Sequence, residues 1–351
     1  MKKILHVCSD EKFIDFAITN FNAITHVKND FVVISKEKSL KYIKNKHVTI
    51  KSKSAFFLQI LFSRLREYDA VVFHSLKGVF KLFIKLIPKR LNICWIGFGF
   101  DYYDYNQILP GRAVVKKGMK YFIKNKILNL DASYQRINYF CPVLESEFES
   151  VALRLKLDAK YIDWNYGSSD NIVEKLKGDY VNGDSILLGN SASETNNHLE
   201  IIDELVKINE KREVIIPLSY GDNNYAEMIS AKLKSTSLNY TVLRDFLTQE
   251  EYFNVLKRCT FVIMNHKRQQ AAGNILIMLS LGAKVFLDKD NPLYDYFKGI
   301  GFKVFNKDDW SCKSFSSLSR NDMEINKSLS LKCFNPEVTI NKTNILVNKL
   351  I

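Results

Sequence analysis

The 351-residue sequence predicts two α/β lobes, each a doubly wound parallel sheet, on three observations. Short apolar runs alternate with segments of 3.6-residue periodicity along nearly the whole chain, the pattern of parallel strands joined by crossover helices. The length exceeds what one ordinary core fills and suits two domains of roughly 150 to 180 residues. Between Tyr161 and Asp184 a polar stretch, WNYGSSDN, and a charged, Gly-containing stretch, KLKGDYVNGDS, interrupt the pattern where a hinge belongs. The expected division is 1–165, 166–335, and a C-terminal segment 336–351 that packs back on the first domain.

In the first lobe the expected strands are Lys3 to Cys8, Phe31 to Ser35, His47 to Ile50, Ala70 to His74, Asn92 to Gly97 and Tyr139 to Val143, with helices between them. In the second they are Ser185 to Asn190, Glu213 to Leu218, Tyr240 to Leu243, Phe261 to Met264 and Lys284 to Leu287. The second lobe's helices are expected near His198 to Asn209, Asn224 to Leu233, Gln249 to Lys257, Ala271 to Ser280 and Pro292 to Phe297. Open α/β sheets take ligands beyond the carboxyl ends of their strands, so two such lobes imply a substrate cleft.

Composition removes several classes. Hydrophobic content of 46% with 25% charged residues is that of a chain that folds throughout. The six cysteines are scattered without a CxxC pair or a Cys/His cluster, so neither disulfides nor structural zinc is expected. The start, MKKILHVCSDEKF, turns polar too soon for a signal peptide, and no apolar run approaches the ~18 residues of a spanning helix. The expectation is a cytoplasmic protein with at most a peripheral hold on the inner membrane. Residues 1–165 carry 28 Lys and Arg against 15 Asp and Glu, while residues 166–351 carry 23 of each, so the whole net charge of +13 sits in the first lobe. Without a zinc pattern or a basic-aromatic RNP-like signature, that charge does not indicate nucleic acid.

In the second lobe, strand Ser185 to Leu188 runs into GNSASETNNH. Gly189, Asn190 and Ser191 there permit a tight turn whose amides face an anion, and Asn196 or Thr195 serves either that turn or a plain helix N-cap. After Leu218, Tyr220 and Gly221 lie near a base or ribose, or simply form a strand-to-helix turn. NHKRQQAAGN follows strand Phe261 to Met264 and brings His266, Lys267 and Arg268, with Gln269, Gln270, Gly273 and Asn274, to a helix start; a diphosphate fits that combination of cations and helix N-terminus. LDKDNPLYDYF puts Asp288, Lys289 and Asn291 at a further strand-to-helix turn opened by Pro292.

In the first lobe, GFGFDYYDY after strand Asn92 to Gly97 makes Asp101 the leading carboxylate to deprotonate an acceptor hydroxyl, with His74 and Asp10 at neighbouring strand ends as rivals. A capping aspartate and a packed histidine are the bland alternatives. Segments 77–90 and 111–128 mix lysines with apolar residues. Lys116, Lys117, Lys120 and Lys124 read either as a membrane-facing, acceptor-attracting helix or as a solvated helix face.

LLGNSASETNNH, IIPLSYGDNN, KRQQAAGN and LDKDNPLYDYF, with ILHVCSD and WIGFGFDYYDY in the first lobe, resemble in order and spacing the bacterial 4-acetamido-4,6-dideoxygalactosyltransferases of enterobacterial common antigen synthesis. The similarity spans roughly residues 3–310; where the family tends toward Trp-Gly-x-Asp, this chain has Phe98 and Phe100 around Gly99 before Asp101. The resemblance implies a GT-B fold, a dTDP-linked Fuc4NAc-like donor, and a polyprenyl-diphosphate-linked saccharide acceptor at the cytoplasmic face of the inner membrane. Donor stabilisation is assigned to Arg268, Lys267 and the Gly189 turn, with no cofactor and, on the reading that no Asp-x-Asp triplet stands at a strand end, no metal. A UDP- or GDP-linked donor and a GT-B nucleotide-sugar epimerase are the alternatives.

Overall fold

The structure, a computed structural model, describes residues 1–62, 64–76, 78–103, 129–166, 175, 176, 178–309 and 316–351. The chain divides into two compact units, Met1–Asp170 with Pro336–Ile351, and Asn171–Asn335.

The first unit holds β1 (Lys2–Cys8), β2 (Val27–Ile34), β3 (Val48–Lys51), β4 (Ala70–His74), β5 (Asn92–Ile96), β6 (Tyr139–Cys141) and β7 (Lys160–Tyr161). They form one sheet in the order β3-β2-β1-β4-β5-β6-β7, every neighbouring pair parallel. Helices α1 (Ile14–Asn22), α2 (Lys53–Leu61), α3 (Gly78–Leu86) and α4 (Phe148–Leu155) belong to this unit. Alternate side chains of each strand leave the sheet on opposite faces, and both faces are covered. Leu5, Val7, Val71, Phe73, Ile93 and Trp95 enter one buried cluster, and Ile4, Cys8, Val72, Cys94 and Ile96 the other. This double burial is why β4 and β5 read as unbroken apolar runs.

The second unit holds β8 (Ile186–Leu188), β9 (Val214–Pro217), β10 (Tyr240–Leu243), β11 (Phe261–Met264), β12 (Lys284–Leu287) and β13 (Val304–Asn306), all parallel, in the order β10-β9-β8-β11-β12-β13. Its helices are α5 (His198–Lys207), α6 (Asn223–Lys234), α7 (Gln249–Lys257), α8 (Ala272–Ser280), α9 (Pro292–Ile300) and α10 (Arg320–Cys333). Local chemistry sets their starts. The Asp222 side chain accepts from Tyr225 N, Thr248 and Glu251 form a reciprocal capping box, and Asn291 caps a helix opened by Pro292. The C-terminal helix α11 (Pro336–Leu350) buries Leu346, Val347 and Leu350 among Ile4, Ala17 and Phe21 of the first unit.

In each sheet the chain winds outward in one direction, then returns to continue on the other side of the first strand. The reversal falls between β1 and β4 in the first sheet and between β8 and β11 in the second. Loops leaving those strands at their carboxyl ends are where open α/β sheets hold ligands.

Three strand expectations change. β2 starts at Val27, not Phe31, because it pairs with β1 residue for residue from Lys2↔Val27, so pairing carries the polar run Lys28 to Asp30. The edge strands β7 and β13 are absent from the sequence reading; at two and three residues they show no period of their own. Among the described residues no helix is long and apolar enough to cross a membrane.

Candidate functional site

The loops after β8 and β11, expected separately from sequence, are locked together at the reversal point of the second sheet. Gly189 turns the chain at φ +68°, where a Cβ would run into the His198 ring and the Asn196 carboxamide. Asn196 is fully buried and ties both loops. Its Oδ1 accepts from Asn190 N at 3.1 Å and from His266 Nε2 at 2.7 Å, and its Nδ2 donates to the carbonyls of Ser191 and Ser193 at 3.0 and 3.2 Å. Asn196 is therefore the crosslink of the site. The N-cap position of α5 belongs to Asn197, whose Nδ2 donates to Asn265 O at 2.9 Å. Thr195 Oγ1 donates to Gln270 Oε1 at 2.6 Å and Gln270 Nε2 to Asn190 Oδ1 at 3.2 Å, closing the second side of the junction. Ser191 is buried beside them with its hydroxyl 3.4 Å from Asn190 Oδ1.

A third loop joins from β9. Ala192 N donates to Tyr220 O and Asp222 N to Ala192 O, both at 2.7 Å, so Gly221 lies against Ala192 and Tyr220 is left half exposed at the rim. On the β11 side, α8 opens after Ala271, a non-glycine residue at φ +59° that supplies no side-chain cap. Its first amides thus have no capping side chain, and a Cβ added at Gly273 in that turn would meet nothing within 4 Å. Asn274 donates to Tyr252 Oη at 3.2 Å, and Gln269 is buried behind the loop.

The charge at this loop departs from expectation. His266 is buried, and desolvation, then the charge of Arg268, push its pKa down to about 3. Lys267 is an ion-pair partner: its Nζ lies 2.5 Å from Asp288 Oδ2 and 3.3 Å from Asp290 Oδ2. Burial opposes its charge, but those two carboxylates outweigh it and raise the ammonium pKa. Asp288 and Asp290 form an Asp-x-Asp triplet directly after β12, contrary to the expectation that no such triplet follows a strand, and Lys267 bridges its two carboxylates. Of the three expected cations, His266 is neutral and Lys267 is held by two carboxylates, while the half-buried Arg268 guanidinium donates to Gln269 O at 3.3 Å.

His198, absent from the expected site residues, faces the same turn. Tyr225 Oη accepts from His198 N at 3.3 Å and lies 3.1 Å from its Nδ1. A hydroxyl that donates to Nδ1 places the ring proton on Nε2, a buried atom with no hydrogen-bond partner that a Gly189 Cβ would strike. Burial lowers the His198 pKa to about 3. The sequence signal was the spacing itself, a histidine nine residues after the glycine of the turn.

In the first unit the three expected catalytic groups are each hydrogen-bonded to neighbouring framework groups. Asp101 is half-buried, its Oδ2 accepting from Leu76 N at 2.9 Å and Trp95 Nε1 at 2.8 Å and its Oδ1 from Phe98 N at 2.9 Å. Burial raises its pKa against the pull of those donors. With its lone pairs so engaged, it joins the loops after β4 and β5, the turn-holding alternative read from sequence. His74 is sealed in a chain of buried groups, its Nε2 at 3.1 Å from His6 Nδ1 and its Nδ1 at 2.8 Å from Tyr166 Oη, while His6 Nε2 lies 3.1 Å from Asn29 Oδ1. Asp10 accepts from the amides of Lys41, Tyr42 and Ile43 at 2.5, 3.1 and 3.0 Å, holding segment 36–46 beside the end of β1. Lys116, Lys117, Lys120 and Lys124 lie outside the described residues.

Four buried imidazoles make stability depend on pH. Burial lowers the pKa values of His6, His198 and His266 to about 3 and that of His74 well below its usual value. Above the ordinary histidine pKa of about 6.5 both folded and unfolded chains hold these rings neutral and no proton is linked to folding. Below it the unfolded chain takes up protons that the folded chain refuses, so stability falls as pH drops from about 6.5 toward 3. The urea midpoint is expected to fall steadily between pH 7 and pH 5, and a flat profile there would contradict this burial.

Solved structures of similar fold span the chain. A glycosyltransferase from Rickettsia africae ESF-5 superposes with a TM-score of 0.66 at 11% identity, over 99% of this chain and 98% of that one. Sucrose-phosphate synthase from Thermosynechococcus elongatus gives 0.73 at 7% identity, over 100% and 99%. Anabaena Alr3699/HepE, solved with UDP-glucose, gives 0.64 at 10% identity over the full length of both. These likenesses show the fold, the two parallel-sheet α/β domains of the GT-B type. The family model described as 4-alpha-L-fucosyltransferase, glycosyl transferase group 56, matches residues 12–348. The chain is a glycosyltransferase and belongs to glycosyl transferase group 56.

Proposed function

We propose that this glycosyltransferase moves a deoxyamino sugar of the Fuc4NAc type from a dTDP carrier to a saccharide on a polyprenyl diphosphate, working peripherally at the cytoplasmic face of the inner membrane in surface-polysaccharide synthesis. The observation that carries the donor half is the locked junction of the Gly189 and His266 loops at the reversal of the second sheet, with the uncapped start of α8 and Arg268 beside it. The carrier's diphosphate rests on the Asn190 turn and the first amides of α8. Arg268 meets the charge that grows on the leaving nucleotide, and His198 Nε2 donates from below the turn. In this reading Lys267 fixes the β12 loop through Asp288 and Asp290, and no metal is required. Tyr220 and Gly221 at the rim border the base or ribose.

The sugar assignment draws on two supports. Fuc4NAc has the 6-deoxygalactose skeleton of fucose, the sugar in the family's description, and the motif order resembles that of dTDP-Fuc4NAc transferases. The excess positive charge of residues 1–165 suits a diphosphate-linked acceptor and an anionic membrane.

A transfer assay with dTDP-, UDP- and GDP-sugars tests the reading. Nucleotide release from the dTDP donor that depends on a lipid-linked saccharide is the expected result. Preference for a UDP or GDP donor would overturn the donor assignment, and conversion of the sugar without an acceptor would overturn transfer in favour of epimerisation.

A further inference from the structure

Resting on the transferase reading, we infer that the first unit carries a built acceptor surface, in which a short aromatic column receives a sugar ring and the lysines of segment 36–46 receive the diphosphate attached to it. The column begins at buried Tyr166. Phe98 stacks on it with ring centroids 4.8 Å apart at 1°, and Phe100 stacks on Phe98 at 5.8 Å and 7°. Phe13 stands alongside, 6.0 Å from Phe98 and 5.8 Å from Tyr166. Burial decreases outward, and Phe100 and Phe13 keep 36% and 48% of their surface in solvent.

The column's position points to a ligand. Phe13 follows β1, Phe98 and Phe100 follow β5, and Tyr166 follows β7, all at carboxyl ends, and β4 ends between β1 and β5 at the reversal of this sheet. That is the place where such a sheet takes a ligand. Asp101 pins the Phe98 amide to the loop after β4, so the Phe98–Phe100 segment is fixed in advance. Preorganised aromatic faces with nearby polar groups suit a pyranose, whose C–H face is apolar and whose rim is hydroxylated.

The charge beside it specifies what the sugar carries. Segment 36–46, KEKSLKYIKNK, has five exposed lysines and a single acid, Glu37. Asp10 and Asp15 hold it by its backbone, through Lys41, Tyr42 and Ile43 and through Lys44 and Asn45. Lys12, next to Phe13, places its ammonium 5.8 Å from the Tyr42 ring centre, and Lys41 stands 5.1 Å from the same ring. A ring-stacking face bordered by a tethered lysine strip is complementary to a glycosyl diphosphate.

Titrations of the full-length protein with three probes test this: N-acetylglucosamine on farnesyl diphosphate, farnesyl diphosphate alone, and dTDP. Phe13→Ala/Phe100→Ala is expected to weaken the glycosyl probe about 10-fold, farnesyl diphosphate hardly at all, and dTDP not at all. Lys41→Gln/Lys44→Gln is expected to weaken both diphosphate probes about 10-fold, again sparing dTDP. Unchanged glycosyl-probe affinity in the aromatic variant would overturn the inference. Equal loss of both farnesyl probes in that variant would overturn it too, assigning the rings to the prenyl chain. A wild-type protein that binds the glycosyl probe in this pattern but not dTDP would sink the donor-site reading and leave this surface standing.

Discussion

Replacing Asn196 with alanine is expected to lower unfolding free energy by about 3 to 5 kcal/mol and to abolish measurable transfer at temperatures where the variant still folds. The side chain is fully buried, and its removal strands Asn190 N and His266 Nε2 as donors and the Ser191 and Ser193 carbonyls as acceptors. A buried polar group left alone costs about 1 to 3 kcal/mol, and these four share one pocket, so their costs combine less than additively. The functional loss is separate from the stability loss, because both loops proposed to hold the diphosphate depend on the same carboxamide. Asn196→Asp, which keeps an acceptor but removes the two donations and buries a charge, should fare no better. Denaturant midpoints and turnover close to wild type in either variant would show that the loops do not rely on this residue.

Arg268→Ala is the second large effect and the opposite in kind. The side chain is half-buried and donates to Gln269 O within its own loop, so the fold should survive. The kcat/KM for donor is expected to fall about 10² to 10³-fold, the usual consequence of removing one donor aimed at developing charge. Arg268→Lys should recover only part of it, since a point charge cannot present the planar fork. Lys267→Ala is expected to act differently, loosening the β12 loop by unpairing Asp288 and Asp290. An Arg268→Ala enzyme with unchanged kcat/KM would mean that the diphosphate charge is met elsewhere.

Much of the architecture was legible because parallel strands covered on both faces announce themselves as apolar runs. β4, β10, β11 and β12 have the bounds expected from sequence. What failed was whatever depended on a distant partner. The start of β2 is set by pairing with β1, and β7 and β13 exist only as edges of sheets already formed.

The same division runs through the site. Gly189 and the basic triplet stood out because they follow strands. Nothing local could show that Asn196, 70 residues before His266, would tie the two loops, or that Asp288 and Asp290 would take up Lys267 from 21 and 23 residues away. In the first unit, hydrogen-bond partners, most of them distant in sequence, surround the expected residues. Asp101 and His74 lie at strand ends where chemistry is expected, yet three donors enclose one and two buried partners the other. His6, a polar residue inside the run ILHVC, was the visible sign of that buried chain.

Amide hydrogen exchange of the full-length protein with and without dTDP tests the donor site most directly. Added protection is expected at residues 189–197 and 265–274, strongest at the Asn190 turn and the start of α8, with no change in the loops after β1, β4 and β5. Protection confined to those first-unit loops, or none in the second unit at saturating dTDP, would contradict the assignment of the nucleotide to the reversal point of the second sheet.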